Sequence, residues 1–223
     1  YFNDKQTSGA LFVVNPDGSH ETQITFPASN ELDYTQNWSP DGSQLAFERV
    51  TFTPESETHE IWVVNVDGSN PHRLVPCPGD DVCTAALLPS WSPDGQWIAF
   101  SRGTGPVTNH QPADVSIWAI HPDGTGLRQI THPTGFQRSE DFDPQWSPDG
   151  TRIVFERRLA RRDWKPAIFT ADSTDGSDVE RVSPKGPLAG ESPDWSPDGR
   201  WIIYRTDEAP GSELSHDELI MFL

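Results

Sequence analysis

The pentapeptide Trp-Ser-Pro-Asp-Gly occurs four times in this chain, at 38–42, 91–95, 146–150 and 195–199. Its tryptophans lie 53, 55 and 49 residues apart, and a period of that size calls for stacked copies of one supersecondary unit. A second marker alternates with the first: Asn-Pro-Asp-Gly at 15–18, Asn-Val-Asp-Gly at 65–68, His-Pro-Asp-Gly at 121–124 and Ser-Thr-Asp-Gly at 173–176. Each repeat therefore carries two Asp-Gly turns. In the first, Pro presets φ, Asp bonds its own backbone and Gly accepts positive φ.

The second copy shows what lies between the turns. Leu87–Trp91 is a short apolar segment that runs into the first turn. Gln96–Arg102, centred on Trp97, Ile98, Ala99 and Phe100, reads as the next strand. A loop from 103 to about 115 separates it from a third strand, Ser116–Ile120, and Leu127–Thr131 follows the second turn as a fourth. Strand, turn, strand, loop, strand, turn, strand is a four-stranded antiparallel blade. Its repetition predicts an all-β chain, a β-propeller forming a single domain over 1–223. Strand centres such as Ile61-Trp62-Val63-Val64 are apolar at consecutive positions, as a sheet covered on both faces requires.

The blocks WSPDGSQLAF, WSPDGQWIAF, WSPDGTRIVF and WSPDGRWIIY, together with IWVVNVDGSNPHRL and IWAIHPDGTGLRQIT, resemble the WD40-like repeat of the TolB type. That resemblance covers nearly the whole chain and implies a six-bladed ring, of which four to five blades are represented here. The terminal blades are partial. Tyr1–Asn3 resembles the tail of a second strand, Ala10–Val14 a third strand, and Glu218–Leu223 a third strand again. TolB is periplasmic and docks the peptidoglycan-associated lipoprotein, while similar repeats form the propellers of prolyl-oligopeptidase-type peptidases. The resemblance thus implies a secreted or periplasmic scaffold that binds a protein or a glycan. The rival is the propeller portion of an enzyme, either a peptidase-type gate or docking domain or a metal-dependent lyase or hydrolase.

Charge narrows the partners. The 16 Lys and Arg against 34 Asp and Glu leave a net charge of −18, which excludes nucleic acid as the expected partner because phosphate binding needs clustered cations. No apolar run approaches the ~20 residues of a bilayer span, so no membrane insertion is expected. Tyr1 opens directly in ordered-looking sequence with no signal peptide, so the numbering is expected to begin on a mature chain or a fragment. An incomplete ring would leave strand edges bare and invite self-association. Cys77 and Cys83 close the segment Cys-Pro-Gly-Asp-Asp-Val-Cys. A disulfide, two free thiols and a metal pair all fit that spacing. The disulfide is favoured and points to an oxidising compartment, extracellular or periplasmic.

Propeller geometry places both Asp-Gly turns of each blade on one face. The long loops fall on the other, at 49–60, 102–116, 156–167 and 205–217 within blades and 26–36, 76–89, 132–144 and 184–194 between them. Binding is expected on this long-loop face. Its acidic residues Asp33, Asp141, Asp143 and Glu191, which precede the repeat tryptophans, are a candidate Ca²⁺ set, since that cation wants oxygen ligands. Its basic cluster Arg157, Arg158, Arg161, Arg162 and Lys165, with Trp164 among them, is a candidate surface for an acidic protein or anionic glycan. His59, His110, His132 and His216 are also expected there, but neither a helical zinc spacing nor a Gly-x-Ser-x-Gly elbow accompanies them, and no catalytic residue is assigned. The repeated residues read as scaffold. Trp38, Trp91, Trp146 and Trp195 are expected to fill the spaces between blades, and Asp41, Asp94, Asp149 and Asp198 to fix the turns.

Overall fold

The structure is a computed structural model. It describes residues 9–54, 56–75, 77, 83–104, 114–133, 139–159, 166–184, 190–206 and 220–222. Every regular element among them is a strand. The short strands β1 (Phe12–Val13) and β2 (Thr22–Gln23) form a two-stranded sheet. Three four-stranded antiparallel blades follow. The first contains β3 (Glu31–Trp38), β4 (Gln44–Phe52), β5 (Glu57–Asn65) and β6 (His72–Val75). The second contains β7 (Ala85–Trp91), β8 (Ile98–Gly103), β9 (Val115–Ile120) and β10 (Arg128–Gln129). The third contains β11 (Ser139–Trp146), β12 (Arg152–Leu159), β13 (Pro166–Asp172) and β14 (Glu180–Arg181). A last sheet pairs β15 (Glu191–Trp195), β16 (Ile202–Arg205) and β17 (Ile220–Phe222). This is the all-β, bladed architecture that the repeat predicts. The proposed second-strand tail at Tyr1–Asn3 lies outside the described residues.

Each Trp-Ser-Pro-Asp-Gly turn is a small hydrogen-bond relay, which explains why serine and aspartate both recur. In the first blade Asp41 Oδ1 accepts from the Ser43 backbone N–H (3.0 Å) and from Ser39 Oγ (2.7 Å), while Ser39 Oγ accepts from the Gln44 N–H (2.9 Å). Asp94, Asp149 and Asp198 are bonded in the same way through Ser92, Ser147 and Ser196. The glycines all sit at positive φ, between 69° and 73°. The hydroxyl thus carries the start of the second strand onto the carboxylate that closes the turn.

The second strand of each blade alternates large, small, large, and the alternation builds the core. Leu45 and Phe47 pack with Ile24, which directly follows β2, whereas Ala46, between them, faces the second blade with Ile98 and Phe100. Ala99 then faces the third blade with Ile153 and Phe155, and Val154 faces Tyr204 of the last sheet. Each interface is therefore a bulky surface seated on a small-residue surface, and the three phenylalanines are fully buried. Burying such a side chain contributes about 1.5–3 kcal/mol.

The tryptophans at the turns follow these interfaces. Trp91 is 7% exposed within the core between the first two blades. Trp146 and Trp195 pack partly buried against the next two cores. Trp38 is 46% exposed. Trp146 Nε1 donates to the Ser90 carbonyl of the preceding blade (3.2 Å).

The strands reach further toward the loop face than the sequence suggests. The segment expected to loop over 49–60 is strand except around 53–56, and Arg157 and Arg158 belong to β12, not to a loop. Charged residues there look like loop in sequence. In the structure Asp141 across the strand pair neutralises Arg157, and Glu156 on the same strand neutralises Arg158, so the ladder continues.

Candidate functional site

The inner strand of every blade breaks register three residues before its tryptophan. The shifts fall between Tyr34 and Asn37, Leu87 and Ser90, Phe142 and Gln145, and Glu191 and Asp194. At each, a non-glycine residue takes positive φ: Thr35 50°, Leu88 55°, Asp143 52° and Ser192 49°. Four repeated strains at one level of a fold mark a built feature, since a β-bulge re-aims side chains and a backbone N–H away from the ladder.

The freed N–H groups join neighbouring blades. Leu88 N–H donates to Glu48 Oε2 of the first blade (3.3 Å), and Asp143 N–H donates to Ser101 Oγ of the second (3.1 Å). Glu48, Ser101 and Glu156 each lie ten residues after their repeat tryptophan and alternate with the arginines Arg49, Arg102 and Arg157. These side chains form the polar band of the loop end, and the band differs from blade to blade.

In the first blade Glu48 is 1% exposed and fully partnered. Besides the Leu88 N–H it accepts from Tyr34 Oη (3.0 Å) and Thr35 Oγ1 (3.1 Å), and His59 Nδ1 lies 2.7 Å away. His59 Nε2 faces Glu57 Oε1 at 3.3 Å. Burial and the adjacent Glu48 raise the pKa of the Tyr34 hydroxyl, so it stays a donor.

The third blade and the last sheet hold a different arrangement. Glu156, also buried, is bonded by Arg158 Nε at 2.7 Å. Asp143 accepts a bond from Ser192 and a long one from Gln145, and Asp194 and Glu191 lie close enough to act on the pair electrostatically. Burial raises the pKa of both Asp143 and Glu156. For Asp143 the Asp194 charge adds to the rise. For Glu156, Arg158 opposes it and the charges of Glu191 and Asp143 add to it. Two carboxylates kept receptive to protons and near enough to feel each other's charge are able to take part in acid–base exchange.

The expected Ca²⁺ set is not assembled. Asp33 gives both oxygens to Arg49 (2.6 and 2.7 Å), and Asp141 gives both to Arg157 (2.6 and 2.8 Å). Both carboxylates are fully buried inside their own blades. The Arg49 guanidinium also lies 4.5 Å above the Trp62 ring, and Arg157 lies 5.1 Å above Phe169. Glu191 is bonded by Arg205 and Asp143 lies at the bulge. Among the described residues no three His, Cys, Asp or Glu are placed to hold a metal. A hard cation wants free carboxylate oxygens, so this donor set does not fit Ca²⁺.

The basic cluster is divided. Arg157 is spent on Asp141, while Arg158 stacks 4.3 Å from the Phe142 ring and keeps 29% of its side chain exposed. Arg161, Arg162, Trp164 and Lys165 lie outside the described residues, as do His110 and His216. His132 is exposed. Cys77 and Cys83 form a disulfide whose residues are buried within the core between the first two blades. Tyr34, Glu48 and Glu156 are site residues that sequence reasoning passed over, and His59, expected on the loop face, is instead buried between Glu48 and Glu57. The Glu-Arg or Ser-Arg pair that stands ten and eleven residues past the tryptophan in the first three repeats was the signal for the two glutamates.

The sequence model of the TolB β-propeller domain matches residues 1–219. The chain belongs to the TolB β-propeller family. Similar proteins include an uncharacterized protein of Agrobacterium fabrum, 28% identical over 202 residues, covering 87% of this chain and 61% of that protein. They also include the TolB homolog of Chlorobium luteolum, 29% identical over 156 residues, covering 70% of this chain and 30% of the homolog. The chain thus spans less than two thirds of these relatives. Among solved structures, an oligogalacturonate lyase in complex with manganese is similar at a TM-score of 0.65 and 16% identity, over 96% of this chain and 56% of the lyase. A puromycin-hydrolyzing peptidase of Mycobacterium tuberculosis is similar at a TM-score of 0.64 and 16% identity, over 92% of this chain and 32% of the peptidase. At such identities the likeness is one of fold.

Proposed function

We propose that this TolB-type propeller is a non-enzymatic binding scaffold of a periplasmic or extracellular compartment, and that its loop face captures a protein or an anionic glycan. The observation that carries this reading is how the polar groups of that face are used. Asp33, Asp141 and Glu48 are locked into buried pairs that hold strands and blades together, a structural use of residues that an active site would keep poised. Arg158, half-buried beside Phe142 and paired with Glu156, begins the basic stretch that the sequence continues through Arg161, Arg162, Trp164 and Lys165. Guanidinium groups with an aromatic neighbour suit carboxylated ligands. The disulfide fits an oxidising compartment.

The test is binding of polygalacturonate and of acidic peptides by calorimetry, for the native chain and an R161E/R162E/K165E variant. Capture that the variant loses supports the reading, and equal binding by both removes the basic stretch from it.

A second reading, the propeller of an enzyme, is favoured by the proton-receptive pair Asp143 and Glu156. One structural neighbour is an oligogalacturonate lyase with manganese. Lyase action creates an unsaturated uronide that absorbs in the ultraviolet. Incubating the chain with oligogalacturonate and Mn²⁺ reads it directly, and sustained turnover that Asp143→Asn abolishes would replace the scaffold reading.

A further inference from the structure

Histidine 59 is the buried titratable group that neither reading uses. It is 5% exposed on β5, and both of its ring nitrogens face carboxylate oxygens, Nδ1 toward Glu48 at 2.7 Å and Nε2 toward Glu57 at 3.3 Å. A neutral imidazole has one donor and one acceptor, so one nitrogen would then set a lone pair against a carboxylate. Only the doubly protonated ring satisfies both contacts.

We propose that the imidazolium of His59 fastens the first complete blade to the second, and that this interface loosens when the ring loses its proton. The chain of contacts is short. The ring neutralises and positions Glu48 on β4, and Glu48 Oε2 accepts the Leu88 N–H at the β7 bulge. The groups around the ring are Glu48 from β4, Glu57 from β5 and, through its hydroxyl on the same Glu48 oxygen, Tyr34 from β3. From β7 comes the Leu88 backbone N–H.

At the next interface the equivalent acceptor is Ser101 Oγ, which holds the Asp143 N–H and does not titrate. The two bulges therefore differ in their acceptor, a carboxylate balanced by the His59 ring at one and a hydroxyl at the other. The electrostatic balance agrees with the geometry. Burial pulls the ring toward neutrality, but the bond and charge of Glu48, and then those of Glu57, outweigh it and raise the His59 pKa.

The sign follows. A pKa raised in the folded state adds stability that is complete below the free-imidazole value of about 6.5 and is lost as pH climbs through the folded value. Each pH unit that separates the ring's midpoint in the closed interface from that in the opened one is a tenfold change in the opening constant.

The experiment is an NMR titration of the native chain, following the His59 ring together with hydrogen exchange of the Leu88 and Asp143 amides. The ring should remain protonated above pH ~6.5. The ratio of Leu88 to Asp143 exchange should stay flat below the ring's midpoint and rise above it. Glu57→Gln, which removes one carboxylate while leaving Glu48 in place, should lower the midpoint and move the onset of the Leu88 rise with it. A ring that titrates at or below the ordinary value overturns the proposal, and so does a Leu88 to Asp143 ratio that stays constant through the midpoint. The native titration decides the matter even if the variant does not fold.

Discussion

Replacing Asp141 by alanine isolates what the strand-borne acidic residues do. Its carboxylate is fully buried and receives two charge-assisted hydrogen bonds from Arg157, at 2.6 and 2.8 Å. Truncation removes both and strands the guanidinium of a side chain only 14% exposed, set against the rings of Phe155 and Phe169. Breaking one side of a buried pair costs about 3–5 kcal/mol. The lower part of that range applies here, because the guanidinium keeps its ring contacts and some access to water. In a chain of this size about 3 kcal/mol lowers the melting temperature by roughly 6–12 °C.

The double variant D141A/R157M should recover much of the loss, since a buried ion pair and a packed apolar pair differ little in net stability. Melting followed by tryptophan fluorescence, repeated in urea, reads both variants. The second blade offers a natural comparison, because Ala86 stands opposite Arg102 where Asp141 stands opposite Arg157. If Asp141→Ala melts within about 1 °C of the parent, far inside the shift expected, the ion pair is not what holds β11 to β12 and the reasoning fails.

Three further outcomes are expected. Gly176 and Gly124 both sit at positive φ in second turns, but a Cβ on Gly176 would lie 1.9 Å from the Ile130 carbonyl oxygen while one on Gly124 meets nothing within 4 Å. Gly124→Ala should therefore cost about 1–2 kcal/mol and Gly176→Ala about 2–5 kcal/mol by chemical denaturation, and equal costs would contradict the close approach of the blades. Trp91→Ala should cost about 3–5 kcal/mol and Trp38→Ala, at the more exposed equivalent position, clearly less; the reverse order would overturn the packing described for the turns. Asp41, its pKa lowered to about 2 by Ser39 and then Ser43, lends stability that is present above the unfolded value of about 3.9 and lost as pH falls through about 2. Ser39→Ala should raise the Asp41 midpoint toward the unfolded value in a carboxylate NMR titration, and an unchanged midpoint would remove the serine relay.

The architecture was legible in the sequence because turn chemistry and apolar periodicity are local. Trp-Ser-Pro-Asp-Gly announces its own geometry, and Leu-Ala-Phe or Ile-Val-Phe after it announces a two-faced strand. The loop end was harder to read for a physical reason. Asp33 and Arg49 are 16 residues apart, as are Asp141 and Arg157. Each residue alone reads as solvated loop, and only the strand register shows that the pair makes a buried bidentate contact. Sequence reading therefore ended the strands too early and assigned their carboxylates to a cation that arginine displaces. The bulge at Thr35, Leu88, Asp143 and Ser192 was harder still, because four unlike side chains share one backbone conformation and no residue type marks it.

The large-small-large alternation of the second strands has a consequence for how such chains change over time. Every blade offers its neighbour the same two complementary surfaces, Phe47, Phe100 and Phe155 on one side and Ala46, Ala99 and Val154 on the other. A duplicated or deleted segment of about 50 residues, one full repeat, would meet its new neighbours through an interface that already exists. The inventory of blades can then vary through unequal recombination without a packing surface being invented. Innovation is left to the bulge level and the loops above it, where Glu48 with His59, Ser101, and Glu156 with Arg158 already show three different solutions on one frame.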